Sequence, residues 1–364
     1  MTNKKFGAFA AGLAAISLVV SACGGSASDA GGTKAAPKSE AKGSIDGSGA
    51  SSQQNAQQAW RDNFKSANPD ITINYTANGS GNGRAEFLAG KSQYAGSDSA
   101  MKAEELKQVA NVCKTDKAVE LPVYISPIAI AVNIEGVKEL NLTGETIAKI
   151  FAGQITQWDD PAIKESNPKA KLPSAKIIPI NRAEKSGTTK NFQEYLQTVA
   201  PSVWTHKPEE TWPISGTQSA EKTSGVVTLA ESTPNSIIYA DFSQIKKLTP
   251  VKVGVGKSFI GPEAEAAAKI VDHSPASKDA TDTLLSKDFK RDGSIEGGYP
   301  VVMVSYLIGC QEYKDANHAK IVKDFFSYII SKDGQEAAHK ANGGNPPISD
   351  KLREESQKVV DTIK

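Results

Sequence analysis

Apolar and polar positions along the chain follow two rhythms that take turns. ITINY (71–75), KIIPI (176–180), SIIYA (236–240) and VVMVSYLI (301–308) have the β-branched, apolar make-up of strands. LPVYISPIAIAV (121–132) is longer than one ordinary strand and carries Pro127 midway, so it predicts a segment passing from one lobe to another. The stretch from Pro300 to Ile308 predicts a second such passage. The other rhythm is helical. Ala56, Trp60 and Phe64 recur at i, i+4 and i+8, and Phe192, Tyr195, Leu196 and Val199 at i, i+3, i+4 and i+7. Ile147, Ile150 and Phe151 form a stripe between a predicted N-cap at Thr143 and a stop at Gly153. Ile321, Phe325, Tyr328 and Ile329 form another, with an expected stop at Gly334. These stripes read as core. Strands alternating with helices predict an α/β architecture, and residues 45–364 are more than one typical core holds, so two lobes are expected.

Four polar runs punctuate this pattern: GSGASS (47–52), NGSGNGR (78–84), AGSDS (95–99) and NRAEKSGTTK (181–190). Two precede strong helices, and NGSGNGR is expected to open a short third one over Ala85–Ala89, closed by Gly90. Unpaired N–H groups at helix starts, joined by hydroxyls, form a neutral cradle for a small oxyanion. Asp98 is the only carboxylate in the first three runs, and Arg182 leads into the last. Together they suggest an anion site that also tests its ligand for a proton. Any one of these serines or threonines taken alone reads first as an ordinary N-cap; the shared bias of four runs, one with Asp and another with Arg, is what shifts the reading.

The chain begins with a basic pair, Lys4 and Lys5, then an apolar stretch too short for a comfortable membrane span, ending in Val20-Ser21-Ala22-Cys23. Residues 1–22 read as a lipoprotein signal peptide, with Cys23 as the lipidated N-terminus that anchors the protein to the membrane. Residues 23–44 contain no large apolar side chain and read as a flexible tether. Cys113 and Cys310 remain; in an exported protein they form a disulfide or stay as two buried thiols. The four histidines fit no metal spacing, and a net charge of +1 gives no reason to expect a nucleic-acid partner.

Catalysis has no visible engine. There is no G-x-x-x-x-G-K-[ST] loop, no complete G-x-G-x-x-G and no G-x-S-x-G elbow, so Ser186 is a poor candidate nucleophile. No cofactor is expected.

The four polar runs resemble those of the substrate-binding lipoproteins of high-affinity bacterial ABC phosphate transporters, the PstS type. GSGASS is similar to the family's Gly-Ala-Gly-Ala-Thr-Phe loop, NGSGNG to its Gly-Ser-Ser-Gly-Gly loop, YAGSDSAM to its Phe-Gly-Ala-Ser-Asp loop, and NRAEKSGTT to its Arg-Ala-Asp-Gly-Ser-Gly-Thr loop. ITQWDDPAIKESNP (155–168) resembles a family stretch with no ligand role. The resemblance covers nearly all of the chain beyond the signal peptide. It implies a two-lobed periplasmic-binding-protein-like fold of type II, each lobe a mixed sheet flanked by helices, joined by extended hinge strands. Lobe I would comprise 45–126 and 303–364, and lobe II 127–302.

Carried over residue by residue, Ser51 supplies the first-loop hydroxyl, Ser52 a backbone N–H, Ser80 the second-loop hydroxyl, and Asp98 the lone acceptor. Arg182 supplies the cation, and Ser186, Gly187 and Thr188 the helix-start cradle. The implied ligand is inorganic phosphate and the implied partners are an ABC permease and its ATPase, with the receptor a monomer on the extracytoplasmic face of the cell membrane. Two departures stand out. Ser52 occupies a position that is often aromatic or apolar in the family, and Glu184-Lys185 stands where the family often has Asp-Gly. The competing readings are a receptor for another tetrahedral oxyanion such as sulfate or molybdate, an exported phosphomonoesterase, or a surface adhesin or signalling lipoprotein.

Overall fold

The computed structural model describes residues 36–342 and 345–364; the expected signal peptide and Cys23 lie outside them. The chain first runs β1 (Gly43–Gly49), α1 (Gln54–Ala67), β2 (Ile71–Ala77), α2 (Ser80–Leu88) and β3 (Tyr94–Ser97). Two single-turn helices, α3 (Ala103–Leu106) and α4 (Val109–Val112), lead into the long strand β4 (Ala118–Asn133). Then follow β5 (Leu140–Leu142), α5 (Gly144–Phe151), α6 (Pro161–Ser166), β6 (Ile178–Arg182), α7 (Gly187–Val199), β7 (Gln218–Ala220) and α8 (Lys222–Ser232). After β8 (Ser236–Asp241), β9 (Thr249–Val255), β10 (Ser258–Ile260) and α9 (Ala264–Asp272), strand β11 (Val302–Cys310) returns. The chain closes with α10 (Ala316–Ile330), α11 (Lys332–Asn342) and α12 (Asp350–Asp361).

β4 organises this order into two lobes. Its first half, up to Pro127, pairs antiparallel with β11, and from Ile128 onward it pairs antiparallel with β8. On one side the strands lie β2-β1-β3-β11-β4, with β1 parallel to both β2 and β3. On the other they lie β4-β8-β6-β7, with β9 beside β4 and carrying β5 and β10. The run that sequence reading marked as a passage between lobes is this shared strand. Pro127, which has no N–H to give a ladder, sits where β4 changes partner.

Each side has its own core, and large aromatic side chains lie in both. Trp60, Phe64, Tyr94, Phe325 and Tyr328 belong to the first, with the Phe64 and Phe325 rings edge-on at 5.3 Å. Phe151, Phe192, Trp204, Trp212 and Tyr239 belong to the second, with Phe192 stacked on Tyr239 at 4.5 Å. Rings at these spacings add to the area they bury. A smaller cluster of Ile180, Val226 and Ile238 lies between β6, β8 and α8. Helix α9 straddles the division: Ala267, Ile270 and Val271 join the first core and Ala266 the second.

Several local expectations are corrected. Within the stretch read as tether, residues 36–44, Ala36 and Ala41 are buried in the first core. The Ser39 N–H also donates to Asn68 Oδ1 at 2.6 Å. Small side chains that cannot build a core can still fill the edge of one. Gly334 does not end the stripe of α10, which stops at Ile330; it lies in the first turn of α11. Helix α2 starts at Ser80, not Ala85, so Gly81 and Gly83 lie inside it and Gly79 is its N-cap. A Cβ on Gly81 would come within 2.8 Å of both Glu210 Oε2 and Lys185 Cβ, so the close approach of another segment, not a turn, demands glycine there. Cys113, at the end of α4, and Cys310, at the end of β11, are joined in a disulfide that ties two edges of the first core.

Candidate functional site

The polar runs converge where the two lobes face each other. GSGASS leads from β1 into α1, NGSGNGR opens α2, AGSDS follows β3, and NRAEKSGTTK passes from the end of β6 into α7. Parallel strands leave their C-terminal ends, and the helix starts that follow, on one edge, and that edge is where open α/β sheets bind ligands. Ser51, Ser52, Ser80, Asp98, Arg182, Ser186 and Thr188 are all buried.

Asp98 is the hub. Its Oδ1 accepts hydrogen bonds from Ser52 Oγ and Ser305 Oγ, both at 2.6 Å, and its Oδ2 accepts one from Thr188 Oγ1 at 3.0 Å. Its backbone N–H donates to Ser80 Oγ at 3.0 Å, and its carbonyl accepts from Asn191 Nδ2 at 2.6 Å. Burial pushes the Asp98 carboxyl above the ordinary aspartate range; the three hydroxyl donors and the charge of Arg182 pull it back only in part. A carboxylate offers about four lone-pair directions, so three donors leave one for a further hydrogen. Its basicity, raised by burial, makes it a strong acceptor for that hydrogen.

Gly187 faces this hub from the other lobe. A Cβ there would sit 2.7 Å from Asp98 Cβ and 2.8 Å from Ser80 Oγ, so only glycine lets α7 approach so closely. Ser186 caps α7, its Oγ accepting from the Thr189 N–H at 3.3 Å. The Ser186 N–H is itself taken up by the Glu210 carbonyl at 2.9 Å. The donors that α7 presents therefore begin at Gly187.

Arg182 completes the cradle. Its Nη2 donates to Ser51 Oγ at 3.0 Å across the cleft, and its Nε to Glu184 Oε1 at 3.1 Å, with a second, shorter bond from Nη2 to the same oxygen. Glu184, one of the two departures noted in the sequence, thus holds Arg182, and it also accepts the Lys222 N–H at 2.9 Å. Lys185 turns outward and is exposed. Thr223 grips Ser51 as well, its N–H donating to Ser51 Oγ at 3.1 Å, and Gln244 Nε2 donates to the Ser51 carbonyl at 3.0 Å.

Sequence reading missed Ser305, Asn191, Thr223 and Gln244. Ser305 carries the weakest sequence signal of the four. It lies in a hydrophobic strand run, and a register shift between Ser305 and Tyr306 in the β11–β4 pairing accompanies its reach to Asp98. Gln53 Nε2 donates to Ser305 Oγ at 2.5 Å and fixes it from α1's N-cap position. Asn191 follows Gly187 by one helical turn, a spacing that could have drawn attention to it.

Comparison with known proteins places the chain in a family. The profile of the PBP superfamily domain matches residues 34–333. The phosphate-binding protein PstS 3 of Mycobacterium tuberculosis is 33% identical over 373 residues, covering 100% of both chains. PstS 2 of the same organism is 34% identical over 346 residues, covering 92% of this chain and 93% of its own. The chain belongs to the PstS family of phosphate-binding proteins. Among solved structures, a high-affinity periplasmic phosphate-binding protein (PfluDING), determined with phosphate bound, aligns with a TM-score of 0.68 at 22% identity. The alignment covers 86% of this chain and 92% of that one, and at such identity it speaks for the fold. The family fold is a two-lobed periplasmic binding protein, which accounts for the sharing of β4 between two sheets.

Proposed function

We propose that this protein is an extracytoplasmic receptor that captures inorganic phosphate between its lobes and delivers it to an ABC permease for import. The observation that carries this reading is the pairing, in one buried cradle built from both lobes, of a hydroxyl-fixed carboxylate with a guanidinium. Ser51, Ser52, Ser80 and Asp98 come from one lobe, and Arg182, Ser186, Gly187 and Thr188 from the other, with the lobes divided near 45–126 plus 303–364 and 127–302. Arg182 supplies the charge and a planar fork suited to an oxyanion. The hydroxyls and the N–H groups at the start of α7 supply neutral donors. Asp98 supplies selectivity. Phosphate near neutral pH still carries a proton to donate; sulfate offers only lone pairs and meets repulsion. A ligand touching both lobes binds the closed form better than the open one and so shifts the population toward it.

The names of the PstS relatives support phosphate as the ligand, and their family membership supports a transport role over an enzymatic one. Lipidation at Cys23, a monomeric state and a membrane-attached position on the outer face complete the reading. To test it, protein stripped of carried-over phosphate by unfolding and refolding is equilibrated with radiolabelled phosphate and unlabelled competitors. One bound phosphate per chain, displaced by cold phosphate and not by a large excess of sulfate, is expected. Equal displacement by sulfate would leave a general oxyanion receptor.

A further inference from the structure

Beside the cradle lies a second charged contact, made wholly between protein groups. Arg84, on α2, reaches across to Glu210, in the segment between α7 and β7, through two parallel bonds: Nη1 to Oε1 and Nη2 to Oε2, each 2.9 Å. The two side chains are 1% and 4% exposed. Arg84 is also held within its own lobe, by Nε to Glu105 Oε2 at 2.9 Å and by Nη1 to Ser97 Oγ at 2.7 Å. Both partners are joined to the cradle. Arg84 shares α2 with Ser80, and Ser97 precedes Asp98. Glu210, through its carbonyl, holds the N–H of Ser186. Gly81 is the clearance that lets the Glu210 carboxylate in.

We propose that Arg84 and Glu210 form a fork that closes across the cleft together with the anion cradle and sets how long a captured anion stays. The proposal rests on the reading of the cleft as one that closes on an oxyanion. Opening the lobes must part this pair. Arg84 then keeps Glu105 as a counter-charge, whereas Glu210 returns to water, so the open form remains accessible. In the closed form both groups are desolvated, and burial alone would raise the Glu210 carboxyl. The charge and bonds of Arg84 hold it below the ordinary glutamate range, which keeps it ionised and paired at any physiological pH. A bidentate, water-excluded pair of this kind acts on the rate of separation far more than on the rate of encounter. Phosphate release would then require breaking the fork as well as the cradle.

The test measures phosphate association and dissociation rates by stopped flow for the wild type, Glu210→Gln, Arg84→Lys, and the double variant Arg84→Met/Glu210→Met. Glu210→Gln keeps the shape and removes the charge; Arg84→Lys keeps the charge and removes the fork. Each is expected to speed dissociation roughly ten- to a hundredfold while leaving association within about threefold. The double variant, which leaves neither partner unpaired, should lose less than the product of the single effects. Dissociation unchanged in both single variants would overturn the proposal, as would equal losses of thermal stability with and without phosphate and no change in rate. Small-angle scattering of the phosphate-free proteins separates this from the ligand assignment. If the wild type binds no phosphate, a shift of the variants to larger dimensions still supports the fork, and identical dimensions reject it.

Discussion

Arg182 and Arg84 are both buried, and both are bonded to a glutamate, but their glutamates stand on different sides of the cleft. Glu184 lies two residues from Arg182 and on the same lobe, so that pair persists whether the cleft is open or shut. Glu210 lies 126 residues from Arg84 and on the opposite lobe, so that pair depends on closure. In the proposed reading the first arrangement prepares a charge for a ligand: the guanidinium is held by one oxygen of Glu184 and still reaches Ser51 across the gap. The second spends its fork on the protein itself. Site chemistry and closure energetics thus occupy adjacent, separable groups, and that separation can be tested.

The most severe break falls on the cradle. Arg182→Ala removes the only cation assigned to the anion and should weaken phosphate binding about a thousandfold or more by calorimetry, with the fold retained. Retention of near-wild-type affinity would mean that Arg182 serves only Glu184. Gly187→Val comes next. Its side chain would occupy the space between Asp98 and Ser80, so the lobes should fail to meet and affinity should drop by about two orders of magnitude. Normal binding by a folded Gly187→Val protein would exclude the close approach.

Glu120 sharpens the other side of the comparison. It is buried on β4, accepts the Met101 N–H at 2.7 Å and feels Arg84. Burial pushes its carboxyl from 4.5 up to about 7, against the pull of that N–H and of Arg84. A folded value above the unfolded one means that the folded state holds the proton more tightly. The associated stability is complete below about 4.5 and is lost as pH rises through about 7. Glu120→Gln keeps the acceptor and never ionises, so it should stabilise the protein by about 1–3 kcal/mol at pH 8. In chemical denaturation the difference from wild type should shrink as pH falls and vanish near pH 4. Parallel pH profiles for the two proteins would contradict this. The smallest effect is expected at Lys185. Its charge is near the site in sequence but exposed, so Lys185→Ala should change phosphate affinity by about twofold or less, and less still at high salt.

The fold was legible wherever the chain states it locally. The stripes of α1, α5 and α7 and the double-length run of β4 follow from spacing and composition alone. Boundaries failed where a distant segment decides them. Within α2, Gly81 lies against Glu210 and Lys185 and Gly83 against Ser48 and Gly49, close approaches that no local pattern reports. The convergence of the four polar runs was legible because loop chemistry is written in short runs of Gly, Ser, Thr and Asp. The groups that support it were not. Ser305 sits in an apolar strand, Glu210 in a segment without a motif, and Arg84 at the end of a run that reads as polar loop. The roles of Arg84 and Glu210 arise from pairing across the cleft and that of Ser305 from the neighbouring strands of its own lobe, and sequence spacing encodes neither.

The proposed function turns on Asp98 recognising the proton of phosphate. The most direct test is calorimetric titration of phosphate-stripped wild type and Asp98→Asn with phosphate and with sulfate. Tight one-to-one phosphate binding with little or no sulfate heat is expected for the wild type. In Asp98→Asn, whose amide can donate to a fully deprotonated oxygen, the phosphate-over-sulfate preference should narrow by at least about tenfold. An Asp98→Asn protein that discriminates as well as the wild type would contradict it.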